Sequence, residues 1–374
     1  MITQRILRIV TLNKRKRNKI IKSIISIIVL LIICAAAYVG YIWVSYERIP
    51  DKLYLETNLA GSFSYFEDAE TINKGNYYNI MTYNIGFGAY NQDYSFFMDG
   101  GKYSWAMSED AVLADISGIT DVINRSGVDF ILLQEVDVDG TRSYHINELD
   151  LMNQFLKGYY YNSAVCYDTK FLLYPVFQPH GANKSVIATY SKFPIADAIR
   201  RSLPVPSDFS KLFDLDRCYT LTRIPTANEN MLCLYNVHMS AYTDDVSVKD
   251  SQLSMLLNDM ENEYKAGNYV VCGGDFNMDL KNTEVDHDYS WGAPFPRNRL
   301  PKGLTLGMDV SKDSAIEHNS CRNANEPYNE NTTFTITTDG FIVSDNIKVN
   351  YYNNANWKYE FSDHDPVVMQ IILQ

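Results

Sequence analysis

The sequence predicts an α+β fold, two β-sheets packed face to face with helices outside, preceded by one membrane-crossing helix. Three observations carry that reading. Short β-branched runs mix with helix-spaced runs in no strict strand–helix–strand repeat, which argues against a purely parallel sheet. From Ser23 to Tyr46 no residue is charged. Several predicted strands end on an acid, an amide or a histidine, a polar finish to an otherwise apolar run. With 374 residues, 46% of them hydrophobic and 13% aromatic, the chain has ample material for a large core. Length alone admits one large sandwich or two domains.

The first 22 residues carry eight Lys and Arg, and no acid precedes Glu47. The apolar run that follows is long enough for the roughly 20 helical residues that a bilayer core of about 30 Å requires. Basic flanks stay cytoplasmic. The expectation is therefore a single-pass anchor at 23–46, a basic cytoplasmic tail at 1–22, and a body on the outer side. A cleaved signal peptide is the rival, with Ala35-Ala36-Ala37 near a cleavage site, but the run is longer than a usual signal core. A buried core helix is the third reading.

Residues 47–76 read as a polar connector lifting the body off the membrane. Tyr78–Asn84 reads as the first core strand. Gly86 to Trp105 has no clear period and reads as a loop over the site. Ser108, followed by Glu109 and Asp110, starts a helix whose face is Val112, Ile116, Ile119 and Ile123. Val128–Leu133 is a strand ending on Gln134-Glu135-Val136-Asp137. A second helix covers 146–155. Strands follow near 162–167, 185–190, 217–224 and 231–238, and a helix at 248–264 leads into Tyr269-Val270-Val271-Cys272. Residues 279–332 read as long and irregular, and strands at 335–343, 349–353 and 366–373 close the domain (77–374).

The eight basic residues of the tail leave 25 Lys and Arg against 45 Asp and Glu in the rest. An acidic body disfavours non-specific binding to phosphate backbones, which needs basic arrays. No Gly-x-Ser-x-Gly elbow, phosphate loop or zinc-spaced Cys/His cluster is present. Cys166, Cys218 and Cys321 are candidates for a disulfide in an oxidising compartment, but no spacing defines a framework.

The last strand before the long loop runs into Gly273-Gly274-Asp275-Phe276-Asn277. Residues two apart in extended backbone project to one side, so Asp275 and Asn277 are expected side by side, with the glycines admitting a ligand. Asn84, Glu135, His238, Asp339, Asp363 and His364 stand at other strand ends. Oxygen ligands suit a hard cation such as Mg²⁺, with Mn²⁺ an alternative, while His and amide groups suit phosphoryl oxygens.

Met81-Thr82-Tyr83-Asn84, Gln134-Glu135-Val136-Asp137, Asn236-Val237-His238, Gly274-Asp275-Phe276-Asn277, Thr338-Asp339-Gly340 and Ser362-Asp363-His364-Asp365-Pro366 together resemble the successive signatures of the endonuclease/exonuclease/phosphatase superfamily. Members include deoxyribonuclease I, apurinic endonucleases and bacterial sphingomyelinases. The resemblance implies a four-layer α/β sandwich and hydrolysis of a phosphoester by in-line attack of water. It implies Glu135 as the principal metal ligand, with Asn84 and Asp363 contributing. Asp275 would orient or deprotonate water, Asn277 and His238 would hold the phosphoryl group, and His364 paired with Asp339 would stabilise developing charge. Arg142 is a candidate for a substrate phosphate. The substrate would be a lipid, nucleotide or nucleic acid. A lipid substrate calls for exposed apolar loops, for which Phe96, Phe97, Met98 and Trp105 are candidates. The alternative is a non-catalytic binding module on the same fold.

Overall fold

The structure, a computed structural model, describes residues 2–61, 70–206, 216–241, 246–283 and 292–374. Parts of the expected connector and of the expected 279–332 loop therefore lie outside the described residues. The chain divides into two units, Met1–Glu47 and Arg48–Gln374.

The first unit is helix α1 (Ile2–Ser45), of which Lys16–Ser45 is long and apolar enough to cross a membrane, with mean hydropathy 2.8 over its most apolar 18-residue window. The helix does not begin at the apolar run. It continues through the basic tail, because Lys, Arg and Ile tolerate helix well and no Gly or Pro interrupts them.

The second unit begins with two short strands, β1 (Leu53–Tyr54) and β2 (Asn58–Leu59). Both lie in the segment expected to be connector, and each pairs at the edge of a sheet. Next come β3 (Tyr77–Asn84), α2 (Glu109–Ser126), β4 (Phe130–Gly140), α3 (Glu148–Phe155), β5 (Tyr160–Asp168) and β6 (Asn183–Ser191). The chain then forms β7 (Asp197–Ser202), β8 (Cys218–Pro225), β9 (Met231–His238), α4 (Val246–Lys265) and β10 (Tyr269–Asp275). The segment expected to be irregular holds β11 (Met278–Asp279) with β12 (Ala293–Pro294), then β13 (Leu304–Leu306), α5 (Gly307–Val310), β14 (Asp313–Ala315) and β15 (Cys321–Arg322). The end is β16 (Thr335–Ile336), β17 (Asp339–Ser344), β18 (Ile347–Asn354) and β19 (Val367–Leu373).

One sheet has the order β1-β7-β8-β9-β10-β17-β13 and the other β14-β18-β19-β3-β4-β6-β5-β2. Both are mixed: β9 with β10 and β3 with β4 are parallel, and their other neighbours antiparallel. Strand alternation sorts the layers. Tyr78, Ile80, Phe130 and Leu132 point into the core shared by the two sheets, while Met81, Tyr83, Ile131 and Leu133 pack beneath α2. On the far side α4 lays Leu253, Leu256, Leu257 and Met260 against β9 and β10. The result is helix, sheet, sheet, helix.

Local signals fix α2 as expected. Ser108 accepts from the Ala111 amide at 3.1 Å, Gly127 ends the helix at φ 59°, and Val112, Ile116, Ile119 and Ile123 are buried. The two glycines before Asp275 work differently from the expectation. A Cβ at Gly273 would lie 2.7 Å from Leu132 of the facing sheet, and one at Gly274 would lie 1.9 Å from the Val237 carbonyl. They let the two sheets and the neighbouring strand close up under the site; they do not face a ligand.

Candidate active site

Three strands of the first sheet bring Asp275, His238 and Asp339 into one row. Asp275 pairs with His238 across the parallel β9–β10 contact and with Asp339 across the antiparallel β10–β17 contact. The facing sheet contributes Asn84, which ends β3 beside Gln134 of β4. Beneath the row, Gln134 donates to the Asn236 side chain at 2.7 Å, and Asn236 donates to the Leu133 and Ala188 carbonyls. Buried amides pinned in this way join the two sheets by hydrogen bonds and fix their spacing at the site.

Glu135 reaches the row through an irregularity. The β4–β6 register slips between Leu133 and Val136, and Glu135 sits at φ 56°, a left-handed conformation uncommon for a non-glycine residue. A bulge re-aims one side chain without ending the strand, and strained backbone of this kind clusters at functional sites. Asn84 then bridges the sheets. Its Nδ2 donates to Glu135 Oε1 and to Asp275 Oδ2, each at 3.2 Å, and its Oδ1 accepts from the Gly86 amide at 3.1 Å.

Asp275 and Asn277 meet as expected, though by a turn and not by a strand pleat. The strand ends at Asp275, and Asn277 lies at φ 48° with its amide donating to Asp275 Oδ1 at 2.9 Å. Asn277 Nδ2 is fixed by the Met239 carbonyl at 2.9 Å and lies 3.3 Å from Asp275 Oδ2.

Asp363 and His364 come from the loop before β19. Ser362 stitches that loop to β3, donating from Oγ to the Asn84 carbonyl at 2.9 Å. Gly86, at φ 53°, lets the turn after β3 close over it, since a Cβ there would be 3.1 Å from Asp363 Oδ1. His364 Nδ1 bonds Asp339 Oδ2 at 2.7 Å, and Ser320 Oγ donates to the same oxygen at 2.8 Å. The other ring nitrogen of His364 is 3.8 Å from Asp275 Oδ2 and 3.4 Å from Sγ of Cys321, a disulfide candidate from the sequence that is a free, buried thiol here.

The electrostatics separate the two histidines. Burial works against a charge on His364, but the carboxylate of Asp339 overrides it and holds the imidazolium well above its ordinary pKa. His238 goes the other way. Burial and then the Arg217 guanidinium, 2.9 Å from both ring nitrogens, push it well below its ordinary value, so it is neutral. Arg217 sits at the head of a strand the sequence did predict, yet nothing in its immediate sequence marks it as facing His238. Burial and then the nearby Asp339 raise Asp275 to about 7, and burial raises Asp363 to about 6.

Arg142 is placed differently from a free phosphate ligand. Its Nε and Nη2 form a fork on Asp137 at 3.0 and 2.8 Å, both groups are buried, and the guanidinium lies 3.8 Å over the Phe87 ring. Breaking such a buried pair from one side costs about 3–5 kcal/mol. Arg142→Met is therefore expected to lower the urea midpoint of the protein strongly. An unchanged midpoint with a raised KM would move the residue into substrate binding.

Which ion fits is set by donor chemistry. Asp275, Asp339 and His364 offer ligand atoms within 4.8 Å of one another. In the structure His364 Nδ1 is already engaged by Asp339, so this trio is joined as a hydrogen-bonded chain. Glu135 and Asp275 are joined through the Asn84 amide, and the Asp363 carboxyl lies near enough to Glu135 to feel its charge; these are oxygen donors, the kind a hard divalent cation prefers.

The profile described as Endonuclease/Exonuclease/phosphatase family matches residues 81–364. No curated protein sequence matches the chain. Solved structures share the fold. An endonuclease/exonuclease/phosphatase from Bacteroides vulgatus superposes with TM-score 0.53 at 14% identity, covering 80% of this chain and all of that one. A mannosyl-6-phosphatase from Bacteroides thetaiotaomicron gives 0.51 at 16%, covering 79% and 100%. TDP2 from C. elegans gives 0.50 at 15%, covering 82% and 77%. With the profile spanning all the strand-end motifs from Met81 to His364, the chain belongs to the endonuclease/exonuclease/phosphatase family.

Proposed function

We propose that this protein is a membrane-anchored phosphoesterase that needs Mg²⁺ or Mn²⁺. The observation that carries the proposal is the single Asn84 amide shared by Glu135 of one sheet and Asp275 of the other, with His238 and His364 within 4 Å of Asp275. Glu135 and Asp363 would hold the cation, with Asn84 beside them. When bound, the ion supplies positive charge to the phosphoryl oxygens and to the crowded carboxylates.

The chain's own groups do the rest. Asp275, raised to about 7 by burial and by Asp339, is poised to take a proton from water near neutrality. Asn277 presents an amide already fixed by the Met239 carbonyl and so holds a non-bridging oxygen with little loss of freedom. Neutral His238 donates one N–H to the phosphoryl group, and Arg217 adds positive charge behind it. His364, charged through Asp339, stabilises the negative charge that grows as the ester bond breaks. The excess of Lys and Arg before the apolar helix orients that helix with its N-terminus cytoplasmic and the body on the other side.

The test uses the full chain in detergent with bis-p-nitrophenyl phosphate and p-nitrophenyl phosphate. Turnover of at least one ester with Mg²⁺ or Mn²⁺ is expected, with a loss of about 100-fold or more in EDTA and recovery on adding the metal back. Turnover that ignores EDTA, or none with either ester, would instead favour a binding module built on the same sandwich.

A further inference from the structure

The face of β8 that meets the other sheet carries short side chains in alternation, Cys218, Thr220 and Thr222. They stand opposite β5 and β6. Asn162 Nδ2 of β5 donates to Thr222 Oγ1 at 2.9 Å, and the hydroxyls of Thr189 on β6 and Thr220 lie 3.4 Å apart. On β5 the buried residues of that face are Asn162, Ala164 and Cys166. Four residues along each strand from the Asn162–Thr222 bond, the two cysteines meet. Cys218 Sγ donates to the Val165 carbonyl at 3.5 Å, and the two cysteines form a small buried cluster of their own with Ala164 and Ile187. The backbones are held together as well. Buried Arg200 of β7 spans them, its Nε donating to the Val165 carbonyl at 2.9 Å and its Nη2 to the Asp216 carbonyl at 2.7 Å.

The contact between the thiols shows in their acidities. The hydrogen bond from Cys218 holds the Cys166 thiol down at about 7 against burial, with the charge of Arg217 adding to it, while burial lifts Cys218 well above its ordinary value. A thiolate beside a thiol is the arrangement from which a disulfide closes. Other cysteines are placed differently. Cys233 and Cys272 lie diagonally across the parallel β9–β10 contact, where Cys233 pairs with Val270. That diagonal separates their Cα atoms by roughly 8 Å, beyond the reach of a disulfide. Cys321 faces His364.

We propose that Cys166 and Cys218, free thiols in this structure, are joined by a disulfide in the mature protein, tying β5 of one sheet to β8 of the other. The bond forms by exchange with a carrier disulfide, either a small molecule or an oxidised dithiol protein. One cysteine thiolate attacks a carrier sulfur and expels the first carrier thiol; the second attacks the mixed disulfide and expels the other. The two cysteines lose two electrons and two protons, and the carrier takes up both. Each sulfur is buried, so exchange takes place while this end of the sandwich is open, and closure then shields the bond. Such carriers act outside the cytoplasm. Formation of the bond therefore rests on the orientation proposed above, whereas the pairing rests on the contact alone and needs no phosphoesterase activity. The bond closes a loop of about 50 residues and fixes the strand end at which Arg217 meets His238.

Full-length protein recovered from membranes is treated with N-ethylmaleimide in urea and digested without reductant. Mass spectrometry is expected to find the peptides of Cys166 and Cys218 linked, two hydrogens lighter than their sum, with maleimide on the other cysteines. Maleimide on both Cys166 and Cys218, or a link from either to another partner, overturns the proposal for the protein in its membrane. Reduced protein exposed to oxidised glutathione, in detergent with urea below the unfolding midpoint, then separates a wrong pair from a wrong side of the membrane. A 166–218 link there upholds the pairing and places the failure in the orientation. Glutathione adducts, other pairings or unreacted thiols overturn the pairing itself. Once alkylation shows that reductant has broken the bond, the melting temperature is expected to fall by about 5 °C or more. A Cys166→Ala, Cys218→Ala variant is expected to melt alike with and without reductant. An unchanged wild-type melting temperature overturns the bond's part as a brace between the sheets.

Discussion

Asp275→Asn is expected to lower kcat/KM by about 10²–10⁴-fold, the range over which a positioned general base contributes, while the protein stays folded. The two halves of that expectation have one cause. The Asp275 carboxyl is buried in the row between His238 and Asp339, and burial together with the second acid lifts it to about 7. A group so lifted pays its desolvation in stability, and neutral Asn of the same shape removes that cost. Its side-chain oxygen still accepts from the Asn277 amide, so the turn survives, while its Nδ2 can no longer accept from the Asn84 and Asn277 side chains and offsets part of that gain. What Asn cannot do is take a proton. Loss of activity at unchanged or raised melting temperature is the signature of a site that holds strain for function. Turnover within a few-fold of wild type would remove Asp275 from the attacking water. Joint loss of folding and turnover would make it a structural residue.

How much of this the sequence disclosed follows from the range of the forces involved. The α2 helix was legible because its cap, apolar face and terminating glycine are all local, and β9 was legible to the residue because β-branched and apolar runs are local too. The polar strand ends were legible as a set for the same reason: an acid or His closing an apolar run breaks its pattern. What remained hidden depends on partners far along the chain. β7 went unread because Arg200 and Arg201 look like surface, yet Arg200 is buried with its Nε on the Val165 carbonyl and its Nη2 on the Asp216 carbonyl. Arg142 is a local exception: the sequence offered it to a substrate phosphate, and its fork on Asp137, five residues earlier, forms across the turn that ends β4. The expected strand at 335–343 is interrupted between Ile336 and Asp339, where the Thr338 and Asp339 amides turn to the Ser320 hydroxyl. The bulge at Glu135 has no composition of its own. Its register is set by β6, some fifty residues later.

Asp339→Asn is the sharper test of the His364 pair than removing the histidine. His364→Ala would strand a buried carboxylate, and breaking a buried pair costs about 3–5 kcal/mol out of a total stability of about 5–15 kcal/mol, so lost activity would be ambiguous. Asn at 339 keeps an oxygen for His364 Nδ1–H and for the Ser320 hydroxyl, and so keeps the ring in place. It removes the charge that overrides burial. The sign follows directly: with the carboxylate gone, burial favours the neutral ring and the His364 pKa falls. If imidazolium is the working form, activity is lost as the pH rises through that pKa, and the alkaline limb of kcat/KM moves to lower pH in the variant. At pH 8 the loss is expected to be about 10²-fold or more, the scale of losing one charged stabiliser of the transition state, and to shrink on going to pH 6. A purely positional role for Asp339 would give a loss independent of pH. A limb that does not move would therefore detach His364 from the developing charge while leaving the proposed roles of Asp275 and of the metal ligands untouched.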